Sequence, residues 1–151
     1  MLKRGSALIV VLLAVLLLSS CATAPETAPG PRGNLATAFA ASAPVAGEAH
    51  DDADSWAFTL TVTSFEPSTG AFEGQIEWPS LAAIHKIRGI LSDAAIEFEE
   101  VEFIQEGDAI LNCKYVAELV EVDGKIEGTW GGCLDYEGMF WMEFPQFRRH
   151  A

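Results

Sequence analysis

Basic side chains are scarce in this chain, with nine Lys and Arg against 22 Asp and Glu and a net charge of −13. So negative a surface repels phosphate backbones and anionic headgroups, which excludes nucleic acid as a partner and a flat seat on a membrane. Histidine is limited to His50, His85 and His150, leaving few groups to move protons near neutral pH. There is no Gly-x-Ser-x-Gly elbow, no His-Glu-x-x-His and no Cys-x-x-Cys, and no phosphate, haem or calcium loop. The expectation is a protein without catalysis, cofactor or metal. Glu73 and Glu77 share a strand face, but acid–base pairs need environments that differ, and nothing separates these two. His50, Asp51, Asp52 and Asp54 read as a solvated acidic run, because neighbours on an irregular segment do not converge on an ion. Long apolar runs are also missing. The longest, Ala7 to Leu18, is twelve residues, whereas a membrane-spanning helix needs about 20.

That run follows Lys3 and Arg4 and has the length of the apolar core of a secretory signal. It ends in Leu18-Ser19-Ser20-Cys21, which resembles the bacterial lipoprotein signal: a branched aliphatic and two small residues before a cysteine. The resemblance covers residues 1–21. It implies that residues 1–20 are removed and that Cys21 is acylated as the first residue of the mature chain, a firm anchor because two or more acyl chains exceed the reversible hold of one. Ala22, rather than aspartate, follows the cysteine, which in that family implies the outer membrane, facing the periplasm. The other reading is an ordinary signal cut near Ala22 to Ala24. Loss of Lys3 and Arg4 leaves seven cations against 22 acids, a net of −15.

Residues 21–53 read as the lipidated cysteine and a flexible tether, rich in alanine, broken by Pro25, Pro29, Pro31 and Pro44, and without a sustained apolar period. A short helix within Leu35–Ala43 is the minor alternative. From residue 54 to 147 the period is two, with a tail at 148–151. Trp56, Phe58, Leu60 and Val62 alternate with Ala57, Thr59, Thr61 and Thr63; Phe72, Gly74, Ile76 and Trp78 alternate with acids and Gln75. Placing Ser92-Asp93 at a two-residue turn sets Ile87 opposite Phe98, Gly89 opposite Ile96, Lys86 opposite Glu99 and Arg88 opposite Glu97. A bulge at Glu99-Glu100 would keep Val101 and Phe103 on the apolar face. Asp123-Gly124 is a strong hairpin turn, setting Leu119 opposite Gly128 and Ala117 opposite Trp130, with Trp130 then opposite Phe140.

The reading is all-β: an antiparallel meander of seven or eight strands forming a closed or partly open barrel. Seven strands leave a difficulty, since the first and last would run the same way. Inner glycines beside aromatics favour a small barrel over a flat sheet. In Gly124-Lys-Ile-Glu-Gly-Thr-Trp130 and its repeated Gly-x-Ile strands, the domain resembles the calycin group of up-and-down barrels, such as avidins and lipocalins, although the lipocalin Gly-x-Trp of the first strand is absent.

With Cys21 assigned to lipid, Cys113 and Cys133 remain, and an oxidising periplasm would join them. The register puts one inside and one outside unless Gly131-Gly132 bulges, and two independent buried thiols are the alternative. Three functions stay open. A carrier of a small apolar or aromatic ligand would line its site with Trp56, Trp78, Tyr115, Trp130 and Phe140. An interaction module would use the outward Val116, Val120, Met139 and Trp141, an apolar set of the kind that marks contact surfaces. The third is an envelope scaffold in which the barrel is only a core.

Overall fold

The structure, a computed structural model, describes residues 30–143, so the signal, Cys21 and the chain from Phe144 onward lie outside the described residues. Within them the chain forms one α-helix, a short 3-10 turn at Pro79–Leu81 and eight strands: α1 (Pro31–Ala40), β1 (Val45–His50), β2 (Ser55–Phe65), β3 (Ala71–Trp78), β4 (Ala83–Leu91), β5 (Ala95–Gln105), β6 (Lys114–Glu118), β7 (Lys125–Cys133) and β8 (Tyr136–Glu143). The strands pair antiparallel in chain order and close into a barrel.

Closure comes from a segment that the alanine-rich composition had assigned to the tether. β1 pairs with β2 from Val45↔Leu60 to His50↔Ser55 and with β8 from Gly47↔Met142 to His50↔Met139. This is the strand that removes the seven-strand difficulty, because an even number lets first and last run antiparallel. The tether therefore cannot extend to residue 53; the folded unit begins at Pro31. β1 alternates as strictly as its neighbours, with Val45, Gly47 and Ala49 buried, but its inward residues are too small to stand out as a hydrophobic stripe. Gly47 has to be small: a Cβ there would run into the Phe58 ring and the Trp141 carbonyl.

α1 starts at Pro31, where a fixed φ suits the first helical position. It covers one end of the barrel. Leu35, Ala38 and Phe39 are buried, and the Phe39 ring meets Phe65 edge-on at 5.7 Å and Phe72 at 4.9 Å, at the turn joining β2 to β3. Arg32 Nε lies 2.9 Å from Asp93 in the β4–β5 turn at the same end.

Strand faces follow the alternating pattern, while three hairpin registers differ from it by two residues. The β4–β5 turn is centred on Asp93-Ala94: Ser92 N–H donates to Ala95 O, and Ser92 Oγ accepts from the Ala95 N–H. Leu91 thus meets Ile96 and Gly89 meets Phe98. Arg88 accordingly pairs with Glu99, not Glu97, and its Nη2 lies 2.6 Å from Oε1; Lys86 leans to Glu73 on β3 instead of Glu99. The Asp123-Gly124 turn forms as expected, with both residues at positive φ. Extra residues between Glu118 and Val122 then set Ala117 opposite Gly128 and Tyr115 opposite Trp130. Trp130 faces Gly138, and Phe140 faces Gly128. Shifts of two leave every side chain on its own face.

If α1 is a built-in plug rather than linker, Phe39→Ala should destabilise the fold by about 3–5 kcal/mol, as large-to-small core changes do. Urea denaturation followed by tryptophan fluorescence checks this. A change of less than about 1 kcal/mol would return the segment to the tether.

Candidate functional site

At the end opposite α1, the β1–β2, β3–β4, β5–β6 and β7–β8 connections surround a cavity of about 320 Å³. Its walls carry Trp56, Trp78, Tyr115 and Trp130, and its rim carries Asp51, Asp54 and Asp108. Four of the five residues expected to line a ligand site therefore meet in one place. Phe140 does not: it is buried behind the wall, edge-on to Tyr115 at 5.5 Å and to Phe98 at 6.1 Å, and it holds the Tyr115 ring rather than touching the cavity. Tyr115 stacks on Phe98 at 4.5 Å, Trp56 meets Trp130 edge-on at 6.3 Å, and Trp130 Nε1 donates to His50 O at 3.2 Å.

Beside this wall lies a carboxylate that the alternation had set at a bulge and out of the core. Glu100 is 2 % exposed and lines the cavity. The bulge exists one residue further on: Ile87 faces Glu100 and Lys86 faces Glu102, leaving Val101 as the extra residue. Glu100 thus continues the inward series Ile96, Phe98; beyond the bulge Phe103 pairs with the inward His85 and keeps that face as expected, though its place near the strand end leaves it 41 % exposed, while Val101 is the extra residue and not an inward one. Glu100 Oε1 accepts from Trp78 Nε1 at 3.0 Å and from Tyr115 OH at 3.2 Å. Oε2 receives no hydrogen bond; His85 Nδ1 is 3.2 Å away, off the line that one needs. His85 is itself fully buried, in phase with Ala83 and Ile87, and stands edge-on to Phe103 at 5.1 Å. Burial, with Glu100 next to it, raises the Tyr115 hydroxyl well above its usual range, so it remains a donor. At the rim, the N–H groups of Asp54 and Ala53 hold the Asp51 carboxyl below the ordinary range.

Cys113 and Cys133 form a disulfide that joins the start of β6 to the end of β7 at the cavity. The bulge between Trp130 and Cys133, with Gly132 at φ 76°, turns Cys133 inward and buries it beside Cys113. Of the outward set only Val116 and Met139 share one surface groove, and the four do not form a continuous apolar patch. Thr129 stands between Val116 and Met139 on the pairing row, Trp141 lies between Glu127 and Glu48 with Lys125 Nζ 3.6 Å above its ring, and Val120 sits beyond the end of β6. Among the described residues no three His, Cys, Asp or Glu side chains are placed to hold a metal ion, and no helix is long and apolar enough to cross a membrane.

No family model, no curated protein and no solved structure matches this chain.

The buried carboxylate makes a stability prediction. Glu100→Leu leaves Trp78 Nε1 and Tyr115 OH without their acceptor, and each buried unpaired donor costs about 1–3 kcal/mol. Glu100→Gln keeps an oxygen for both and should cost less than about 1 kcal/mol. Denaturant melts of the two variants compare them; equal losses would mean that the two hydrogen bonds do not hold the wall.

Proposed function

We propose that this chain is a lipoprotein of the bacterial envelope, anchored through Cys21 in the outer membrane and facing the periplasm, whose barrel is a non-catalytic receptor for one small apolar or aromatic molecule. The observation that carries the reading is the cup: an aromatic-walled cavity at one end of a barrel whose other end is filled by its own helix. Its volume is at the lower limit of ordinary ligand sites, which run from about 300 to 1,000 Å³, and its make-up of apolar walls with few polar groups is theirs. Leu18-Ser19-Ser20-Cys21 supports the anchor, and a disulfide suits an oxidising compartment.

The two parts fit each other geometrically. Nine residues lie between Cys21 and Pro31, a stretch that reaches at most about 35 Å. Because Pro31 opens the helix at the plugged end, an anchor at Cys21 tethers that end to the bilayer and leaves the mouth free to face the periplasm. A docking role for the outer face draws less support, since Thr129, Glu48 and Glu127 interrupt its apolar residues. A scaffold role gives no reason for a cavity at all.

Native mass spectrometry of the protein purified from its own envelope should find a retained small molecule, released by denaturation. In the same cells, Cys21→Ser should carry no labelled palmitate and accumulate unprocessed. Acylation of that variant would overturn the anchor; a mass equal to the acylated chain alone, in every preparation, would count against the receptor.

A further inference from the structure

We propose that the guest of this cup is an organic cation: an ammonium or amidinium group on a flat apolar body. This rests on the receptor reading and names the ligand class. The cavity lining includes four carboxylates, Asp51, Asp54, Glu100 and Asp108, and among the described residues that line it there is no lysine, arginine or histidine. Low-dielectric walls focus the field of like charges, so the mouth draws in cations and turns anions away. Acidic residues on a rim would mean little alone, given a chain that is acidic everywhere. Glu100 is the second and independent observation.

It is buried, it stands in the wall, and one of its oxygens lacks any hydrogen bond. A carboxylate removed from water needs a countercharge or donors on both oxygens. Oε1 has two donors, and Oε2 has only the misaligned edge of His85. A cation among Trp56, Trp78, Tyr115 and Trp130 places a countercharge on the cavity side of Glu100, whose enclosed Oε2 faces His85, and the ring faces attract the same charge through their quadrupoles. The rings also give the body of the guest its apolar contact. The described acids do not cluster for a bare metal ion, which is why the charge is assigned to an organic group.

Three probes of one shape separate charge from shape: phenethylamine, its neutral analogue 2-phenylethanol, and the anion phenylacetate. Each is titrated by calorimetry into the acylated full chain in nonionic micelles, with the micelle blank subtracted. Phenethylamine should bind about tenfold or more tighter than 2-phenylethanol, and phenylacetate should give no heat, since hydrogen bonds to charged groups add about that much. Glu100→Gln, which keeps both wall hydrogen bonds, should remove most of the amine's advantage over 2-phenylethanol, its denaturant melt serving as proof that the variant is folded; an undiminished advantage in the folded variant would overturn the role given to Glu100. Equal affinity for amine and alcohol in the wild type would overturn the cation proposal while leaving a receptor for neutral aromatics. Silence from all three probes would sink the receptor reading with it.

Discussion

The pairing of β1 with both β2 and β8 is the constraint on which the rest of this molecule depends. Without Val45–His50, β8 and β2 would each present a row of unpaired N–H and C=O groups, and the sheet would be open along its length. With it, every strand has two neighbours and the interior is sealed sideways. Closure fixes the position of everything inside. His50 O takes the Trp130 indole N–H only because His50 lies beside Met139 at the seam, and Ala49 contributes to the cavity from the same strand.

A closed barrel of this size still has two ends, and the chain treats them differently. At one, α1 inserts Leu35, Ala38 and Phe39 and extends the core to the turns. At the other, no element among the described residues fills the space between the connections, and the inward stripe ends in rings and a carboxylate instead of aliphatics. The disulfide lies at this second end, tying β6 to β7 beneath the longest connection described, Glu106 to Cys113. Chain closure of this kind restricts the loops around the mouth and keeps the aromatic walls in place. Asymmetry between a packed end and a walled end is the feature on which the proposed receptor role rests.

Much of this was legible in the sequence because strand alternation survives errors of register. Moving the β4–β5 turn from Ser92-Asp93 to Asp93-Ala94 shifts every partner by two, so Arg88 takes Glu99 in place of Glu97, yet Ile87, Ile96 and Phe98 remain inside. Trp56, Trp78, Tyr115 and Trp130 could be assigned to one interior for the same reason. What was not legible falls where composition and period disagree. Val45, Gly47 and Ala49 keep the period but are small, so by composition this strand reads as linker; Leu35 and Phe39 are too few to announce a plug. Glu100 is the reverse case: the series Ile96, Phe98 continued strictly points to it, and the expectation that a glutamate must face water moved the bulge one residue too early. His85, in phase between Ala83 and Ile87, carried the same signal.

Four tryptophans make the central claim directly measurable, because three line the cup and Trp141 lies outside it. In an ¹H–¹⁵N spectrum their indole N–H groups give four resolved signals, and phenethylamine is titrated in. Shifts of Trp56, Trp78 and Trp130 along one common binding curve, with Trp141 fixed, are what the account predicts. Movement of Trp141 while the other three stay put would contradict it and place recognition on the outer face of the barrel.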